Sequence, residues 1–229
     1  MKFTLVILTL NEIDGVKALF DKIPFSAVDE CLVMDGGSRD GTADFFVHKG
    51  FKVITQIKKG RGAAMIQSVE EAKGDRLVFF SPDGNENPDD IPKLLNLLNT
   101  CDMAIASRFL KGAHNEEDGL VFPLRTWANR IFTLLANVLW NKKGFISDTI
   151  NGFRAVRKES FKKLAVDAND FVIEYQMSIR AMKLGLDVRE MPTWEGNRMS
   201  GLTKGKSLQV GLQFLRFLLK EIFIVKKKI

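Results

Sequence analysis

The chain has 229 residues, 45% of them hydrophobic and 27% charged, which is enough for one sizeable α/β core and unlike a disordered, collagenous or disulfide-built protein. Two cysteines (Cys31 and Cys101) without Cys-x-x-Cys spacing and two histidines (His48 and His114) leave almost nothing for a zinc site, a redox motif or a histidine-based triad. The formal charge is +6, with the excess concentrated at Lys226-Lys227-Lys228, an end that fits anionic lipid as well as nucleic acid and is otherwise simply solvated.

From the start, Lys2 to Thr9 runs directly into an apolar strand without the apolar region and cleavage site of a secretory leader, so a cytoplasmic location is expected. No segment has the roughly 20 uninterrupted apolar residues of a membrane span. Runs resembling buried parallel strands follow at Phe3 to Thr9, Cys31 to Met34, Phe51 to Ile54, Arg76 to Phe80 and Met103 to Ser107. Between them, Asn11 to Lys22, Gly41 to Lys49, Gly62 to Lys73 and Asp89 to Leu98 carry apolar residues at helical spacing. This alternation predicts a doubly wound, mostly parallel sheet with helices on both faces.

The second half is less regular. A polar loop at Lys111 to Gly119 precedes a helix at Leu124 to Trp140, a short motif at Asp148 to Val156, a helix near Glu174 to Leu184 and a strand at Val188 to Met191. No linker separates the halves, so residues 1–206 read as one domain, with a nucleotide-binding half (1–107) and an acceptor half (108–206). Residues 207–229 read as an amphipathic, basic C-terminal helix, with Gln209, Gln213, Arg216 and Lys220 on one face. Leu208, Leu212, Leu215, Leu219, Ile222 and Phe223 lie toward the other. Such a helix suits a membrane interface, packing on the domain, or pairing in a dimer.

The chemistry gathers where strands end. Arg76 to Phe80 opens into Ser81-Pro-Asp-Gly-Asn-Glu-Asn-Pro-Asp-Asp90, placing oxygen ligands at a strand's carboxyl end, where open α/β sheets bind ligands. Asp83 there suits Mg²⁺ or Mn²⁺ against a nucleotide diphosphate; the alternative is a polar loop with a helix cap at Asn87 or Asp89. Thr9-Leu-Asn-Glu12 and Asp35-Gly-Gly-Ser-Arg-Asp-Gly-Thr42 follow the first two strands. An acidic residue in such a turn can accept from a ribose hydroxyl or base N–H, glycines permit close backbone approach, and Ser38 can cap the next helix. Lys58-Lys-Gly-Arg-Gly-Ala-Ala64 puts glycines and cations at a helix start, which suits an anion. Neither the P-loop nor the Gly-x-Gly-x-x-Gly spacing is present.

In this order, Val6 to Glu12, Met34 to Thr42, Lys59 to Ala64, Ala72 to Asp75 and Ser81 to Asp83 resemble glycosyltransferase family 2, with its GT-A fold. Ala106 to Gly112, Asp148 to Ala155 and Arg198 to Lys204 resemble its polyprenyl-phosphate sugar synthases. The resemblance implies an inverting, metal-dependent enzyme, peripheral at the inner face of a membrane, moving a sugar from a UDP- or GDP-linked donor to a polyprenyl phosphate. It implies that Asp35 reads the nucleoside beside Thr9, Asn11 and Glu12, with Gly37, Ser38, Lys59, Gly60, Arg61 and Gly62 on the donor. Asp83 and Asn85 would hold Mg²⁺ or Mn²⁺, and Arg198 and Lys204 would close over the diphosphate.

On the acceptor side it implies Arg108, Arg125 and Asn129 for the phosphate, with Asp148 orienting acceptor or sugar; Asp148, Arg108 and Arg125 are the expected catalytic set. With a hydroxyl acceptor, Asp148 or Glu174 would be the base, although Glu174 can equally pair with Arg154. Nucleic acid is not an expected partner; a homodimer or a membrane-protein partner is compatible. Ser81 stands where the family usually has the first Asp of Asp-x-Asp, and Gly36 where Asp is common. The rival readings are transfer to a glycan hydroxyl and a catalytically idle nucleotide-sugar or membrane-bound regulator.

Overall fold

A computed structural model of the chain describes residues 1–199 and 207–224, with side chains from 210 to 223 in the second segment. The first half alternates as expected: β1 (Phe3–Thr9), α1 (Ile13–Leu19), β2 (Glu30–Asp35), α2 (Thr42–His48), β3 (Lys52–Thr55), α3 (Arg61–Glu71), β4 (Arg76–Phe80), α4 (Ile91–Leu97) and β5 (Met103–Ser107). There follow α5 (Leu124–Trp140), β6 (Arg154–Arg157), α6 (Lys158–Leu164), α7 (Ile173–Leu184), β7 (Val188–Pro192) and α8 (Ser207–Ile224).

The strands form one seven-stranded sheet in the order β3-β2-β1-β4-β6-β5-β7. Every pairing is parallel except those of β6, which runs antiparallel to both β4 and β5. β6 and α6 are additions to the expected pattern. Arg154-Ala-Val-Arg157 sets two apolar residues between two arginines, too short a run to signal a strand. Inserted between β4 and β5, it separates two strands that follow one another in sequence.

Side chains alternate along β4, and the two faces acquire separate cores. Leu77 and Phe79 join Met65, Tyr175 and Phe214 under α3, α7 and α8. Val78 and Phe80 join Val16, Phe46 and Leu94 under α1, α2 and α4. Burial of each such side chain contributes about 1.5–3 kcal/mol. Because β1, β2, β4 and β5 point the same way, Thr9, Asp35, Ser81 and Ser107 emerge at one edge of the sheet.

α8 presents three faces. Phe214, Phe217, Leu218 and Glu221 are buried against the domain, with the Phe214 ring 5.3 Å from Tyr175 and 5.4 Å from Phe132 of α5. Glu221 pairs there with Arg180 and Lys183. Leu212, Leu215, Leu219, Ile222 and Phe223 remain exposed, as do Arg216 and Lys220. The side chains of Leu208 and Gln209, and the whole of Lys226 to Lys228, lie outside what the structure describes. No described helix is long and apolar enough to cross a membrane.

Candidate active site

At the ends of β1 and β2 the two turns are tied together. The Asp35 carboxylate accepts from Thr9 Oγ1 (3.1 Å), Ser38 Oγ (2.5 Å) and the backbone amides of Gly37 and Ser38 (2.8 Å each). A carboxylate has about four acceptor positions, so Asp35 is saturated by its own turn together with Thr9 of β1. Asn11, in the left-handed region at φ 56°, accepts from the Arg39 amide, and its own amide donates to Ser38 Oγ. The buried Glu12 donates its amide to Thr42 Oγ1. Ser38 does not cap α2. Gly41, at φ 90°, stands at that cap position without a side-chain bond, while Asp40 accepts from the amide and hydroxyl of Thr42 and Ser38 is committed to Asp35.

The turn after β4 carries the metal candidates. Asn87 Oδ1 accepts from the Asp89 amide, so the expected helix cap is present beside the acidic turn. Asp83 Oδ1 accepts from the Asn85 amide, and Asp83 Oδ2 lies 3.0 Å from the Arg198 guanidinium. Residues 196–199 lie across the turn, with the Gly196 amide on Asn85 O (2.9 Å) and the Met199 amide on Asp83 O (2.7 Å). Gly84, at φ +101°, permits this approach, since a Cβ there would stand 2.7 Å from the Met199 side chain and 3.0 Å from Asn197 O. Arg198 therefore reaches the turn after β4, where it pairs with Asp83; Lys204 lies outside the described residues.

Asn85 donates through Nδ2 to Glu116, while its Oδ1 is buried with no hydrogen-bond partner. An orphaned amide oxygen beside a carboxylate fits a hard divalent cation, and Mg²⁺ needs only one or two carboxylates besides water and substrate phosphate. Among the described residues no group of three or more His, Cys, Asp or Glu could hold a metal by itself.

The helix start at Lys59 to Gly62 is not the open anion site its sequence suggests. Gly60 and Gly62 face the backbone of the α6–α7 connection, where a Cβ would stand 2.1 Å from Asn169 O and Ala168 O respectively. Asn169 O also takes the Ala63 amide. The glycines serve chain packing, so the first turn of α3 is covered. Arg61 turns inward, donating to Glu174 and, at 2.7 Å, to Ser81 Oγ, with Glu86 3.9 Å away. Burial opposes its charge, but Glu174 and Glu86 more than offset this and raise its pKa. Lys59 is exposed. A cation thus stands against Ser81, where the family usually has a carboxylate. Glu86, whose carboxylate accepts from the Ser81 amide at 2.6 Å, is pushed up to about 8 by burial.

On the acceptor side, Arg108 and Asp148 are locked together. Arg108 donates through Nε (2.7 Å) and NH2 (2.9 Å) to the two oxygens of Asp148, and its amide adds a third bond. Burial pushes the Asp148 carboxyl up, but the Arg108 charge and bonds bring it below its ordinary value. Asp148 is 0% exposed, so the expected orienting or basic role gives way to that of a structural counterion to Arg108. Arg108, itself 8% exposed, is correspondingly unavailable to a phosphate. Arg125 and Asn129 share α5 as the spacing requires, and Arg125 stands among Glu116, Glu117 and Glu195.

Glu174 pairs with Arg61 and not with Arg154. The Arg154 guanidinium is fully buried and held by the carbonyls of Thr149, Asn151 and Glu174 and by Ser178 Oγ. Burial lowers its pKa to about 10. Sequence reasoning missed Glu86, Glu116 and Glu195 as partners of these cations. Glu86, three residues after Asp83, was open to notice; Glu195 is 87 residues from Arg108 and carried no local signal.

A mostly parallel sheet with an acidic, amide-bearing turn ending its central strand is that of a GT-A glycosyltransferase. The model described as Glycosyl transferase family 2 matches residues 4–165, and the chain belongs to that family. It is 30% identical over 226 residues to a dolichol-phosphate mannosyltransferase of Pyrococcus furiosus, covering 94% of this chain and 62% of that protein. It is 26% identical over 220 residues to an undecaprenyl-phosphate mannosyltransferase of Micrococcus luteus, covering 89% and 87% respectively. Glycosyltransferase AglJ of Haloferax volcanii is 27% identical over 81% of this chain, which spans 60% of that relative's length. Among solved structures, glucosyl-3-phosphoglycerate synthase of Mycobacterium tuberculosis with Mn²⁺, uridine diphosphate and phosphoglyceric acid matches with a TM-score of 0.75. Identity there is 23%, over 96% of this chain and 78% of that one, a likeness of fold.

Proposed function

We propose that the protein transfers a sugar from a nucleotide-diphospho-sugar to a polyprenyl phosphate at a membrane surface, with inversion. The acceptor oxygen attacks the anomeric carbon as the bond to the donor's phosphate oxygen breaks, and the nucleoside diphosphate leaves. The observation that carries the choice of acceptor is the engagement of Asp148 and Glu174, the two carboxylates suited to act as base, in buried ion pairs with Arg108 and Arg61. A phosphate is already largely ionised near neutrality and needs no strong base. Arg125, whose side chain is 36% exposed, would exchange its carboxylate partners for that phosphate.

Asp83 and the free oxygen of Asn85 would hold Mg²⁺ or Mn²⁺ between them and the donor. When bound, the cation supplies charge that stabilises the departing diphosphate. The Thr9, Asn11 and Asp35 turns would frame the nucleoside, and Arg198 would pass from Asp83 to the phosphates. The similarity to polyprenyl-phosphate mannosyltransferases supports this donor and acceptor pairing. Transfer to a sugar hydroxyl is the second reading, favoured by the three carboxylates around Arg125, any of which would serve a neutral nucleophile.

Calorimetric titration of UDP and GDP with and without Mn²⁺, on the native chain and on Asp83→Ala, tests the donor site. Metal-enhanced binding lost in the variant is expected; metal-independent binding that survives Asp83→Ala would remove the assignment. A screen of nucleotide sugars against polyprenyl phosphate and free saccharides then separates the two acceptors.

A further inference from the structure

We propose that Glu116 is a positioning residue for the divalent cation: it fixes the side-chain amide of Asn85 so that the oxygen, and not the nitrogen, is left for the ion. With Ser81 in place of a carboxylate, the turn after β4 offers one carboxylate, Asp83, and one amide, Asn85. The two ends of an amide are alike in shape and opposite in chemistry, because the NH2 group donates and only the oxygen can ligate a cation. How Asn85 is turned therefore decides whether the turn has two oxygens for the ion or one.

The Asn85 backbone is held on both sides, its amide donating to Asp83 Oδ1 (3.2 Å) and its carbonyl accepting from the Gly196 amide (2.9 Å). Its side chain is set by Glu116 Oε2, which accepts from Nδ2 at 3.0 Å. The reverse orientation would put the amide oxygen against a carboxylate oxygen at that distance, two acceptors facing one another. Oδ1 is consequently kept off Glu116, and it is buried without a hydrogen-bond partner in a residue 8% exposed.

Glu116 is itself braced. Its amide donates to Glu195 Oε2 (3.2 Å), and its Oε1 pairs with Arg125. Beside it, Asn115 Oδ1 accepts from the Glu117 amide (2.9 Å) and from Thr126 Oγ1 (3.1 Å), which pins the loop to α5. Neutralising Arg125 does not account for the contact with Asn85, since Glu117 and Glu195 also stand 3.9 and 3.8 Å from that guanidinium. The second Glu116 oxygen reaches across 31 residues of sequence to orient one amide. Groups that orient a metal ligand in this way are worth about 10–100-fold in metal affinity. The inference rests on the assignment of Asp83 and Asn85 to the cation and adds the group that aims Asn85.

Mn²⁺ is titrated into the full chain, alone and with UDP or GDP, and the free ion is read by electron paramagnetic resonance. Glu116→Ala should weaken Mn²⁺ binding about tenfold or more. In an Asn85→Asp background both side-chain ends are oxygens and need no orienting, so adding Glu116→Ala there should leave the affinity unchanged or tighten it by removing a like charge from beside the new carboxylate. That recovery would also show that Glu116→Ala folds. A Glu116 acting through its charge alone would weaken binding equally in both backgrounds. Equal losses in the two backgrounds, or native affinity in Glu116→Ala, would overturn the proposal and leave the metal turn in place. No Mn²⁺ binding by the native chain, or binding that survives Asp83→Ala, would remove the turn and the proposal with it.

Discussion

Arg108→Met should cost the protein stability before it says anything about catalysis. In the native chain the guanidinium makes two side-chain bonds to Asp148, at 2.7 and 2.9 Å, and a third bond to Glu195 at 3.3 Å. Methionine keeps comparable bulk but leaves Asp148, at 0% exposure, as a buried charge without its counterion. Stranding one partner of a buried pair costs about 3–5 kcal/mol. For a domain of this size that lowers the melting temperature by about 6–20 °C. Urea denaturation of the native chain, Arg108→Met, Asp148→Asn and the double variant measures the coupling. The double variant should recover a large part of the loss, because no charge is left unpaired. Since the Asp148 pKa is depressed in the fold, the stability this pair contributes is present above the ordinary carboxylate pKa. It is lost as pH falls through the depressed value, so the gap between native and Arg108→Met protein should narrow in acid. If Arg108→Met keeps its denaturation midpoint while sugar transfer falls a hundredfold, Arg108 serves the acceptor and the structural reading is wrong.

Glu86 acts in the opposite sense, since burial raises its folded pKa from about 4.5 to about 8. Between those values the unfolded chain has released the proton and the folded chain retains it, so this group's contribution falls as pH rises across the window. Glu86→Gln should flatten that slope in metal-free protein, read by denaturation at pH 5.5, 6.5 and 7.5. Arg198→Ala should tighten Mn²⁺ binding twofold to fivefold without nucleotide, as expected for a partly exposed pair worth about 0.5–1 kcal/mol; weaker binding in the titration would show that Arg198 does not compete with the metal. Gly84→Ala should destabilise the protein by about 1–3 kcal/mol through its positive φ and the displaced 196–199 segment, measured by thermal melting.

The sequence alone was sufficient for the alternating strands and helices, because apolar spacing is a property of neighbouring residues. It also placed Asp35, Asp83 and Asn85 at the ends of parallel strands, since strand direction follows from that alternation. Tertiary packing decided what each charged group does. Arg61 looked like a phosphate ligand at a helix start until Asn169 and Ala168 covered that start and Glu174, 113 residues away, took the guanidinium. Asp148 looked free until Arg108 closed on it across 40 residues. The sequence placed a helix at Leu124 to Trp140, and only the arrangement of the layers left its Trp127, Ile131, Leu134 and Val138 exposed. Hydrophobic periodicity is written locally, whereas burial and the pairing of a charge are set by whichever distant segments the fold brings beside it.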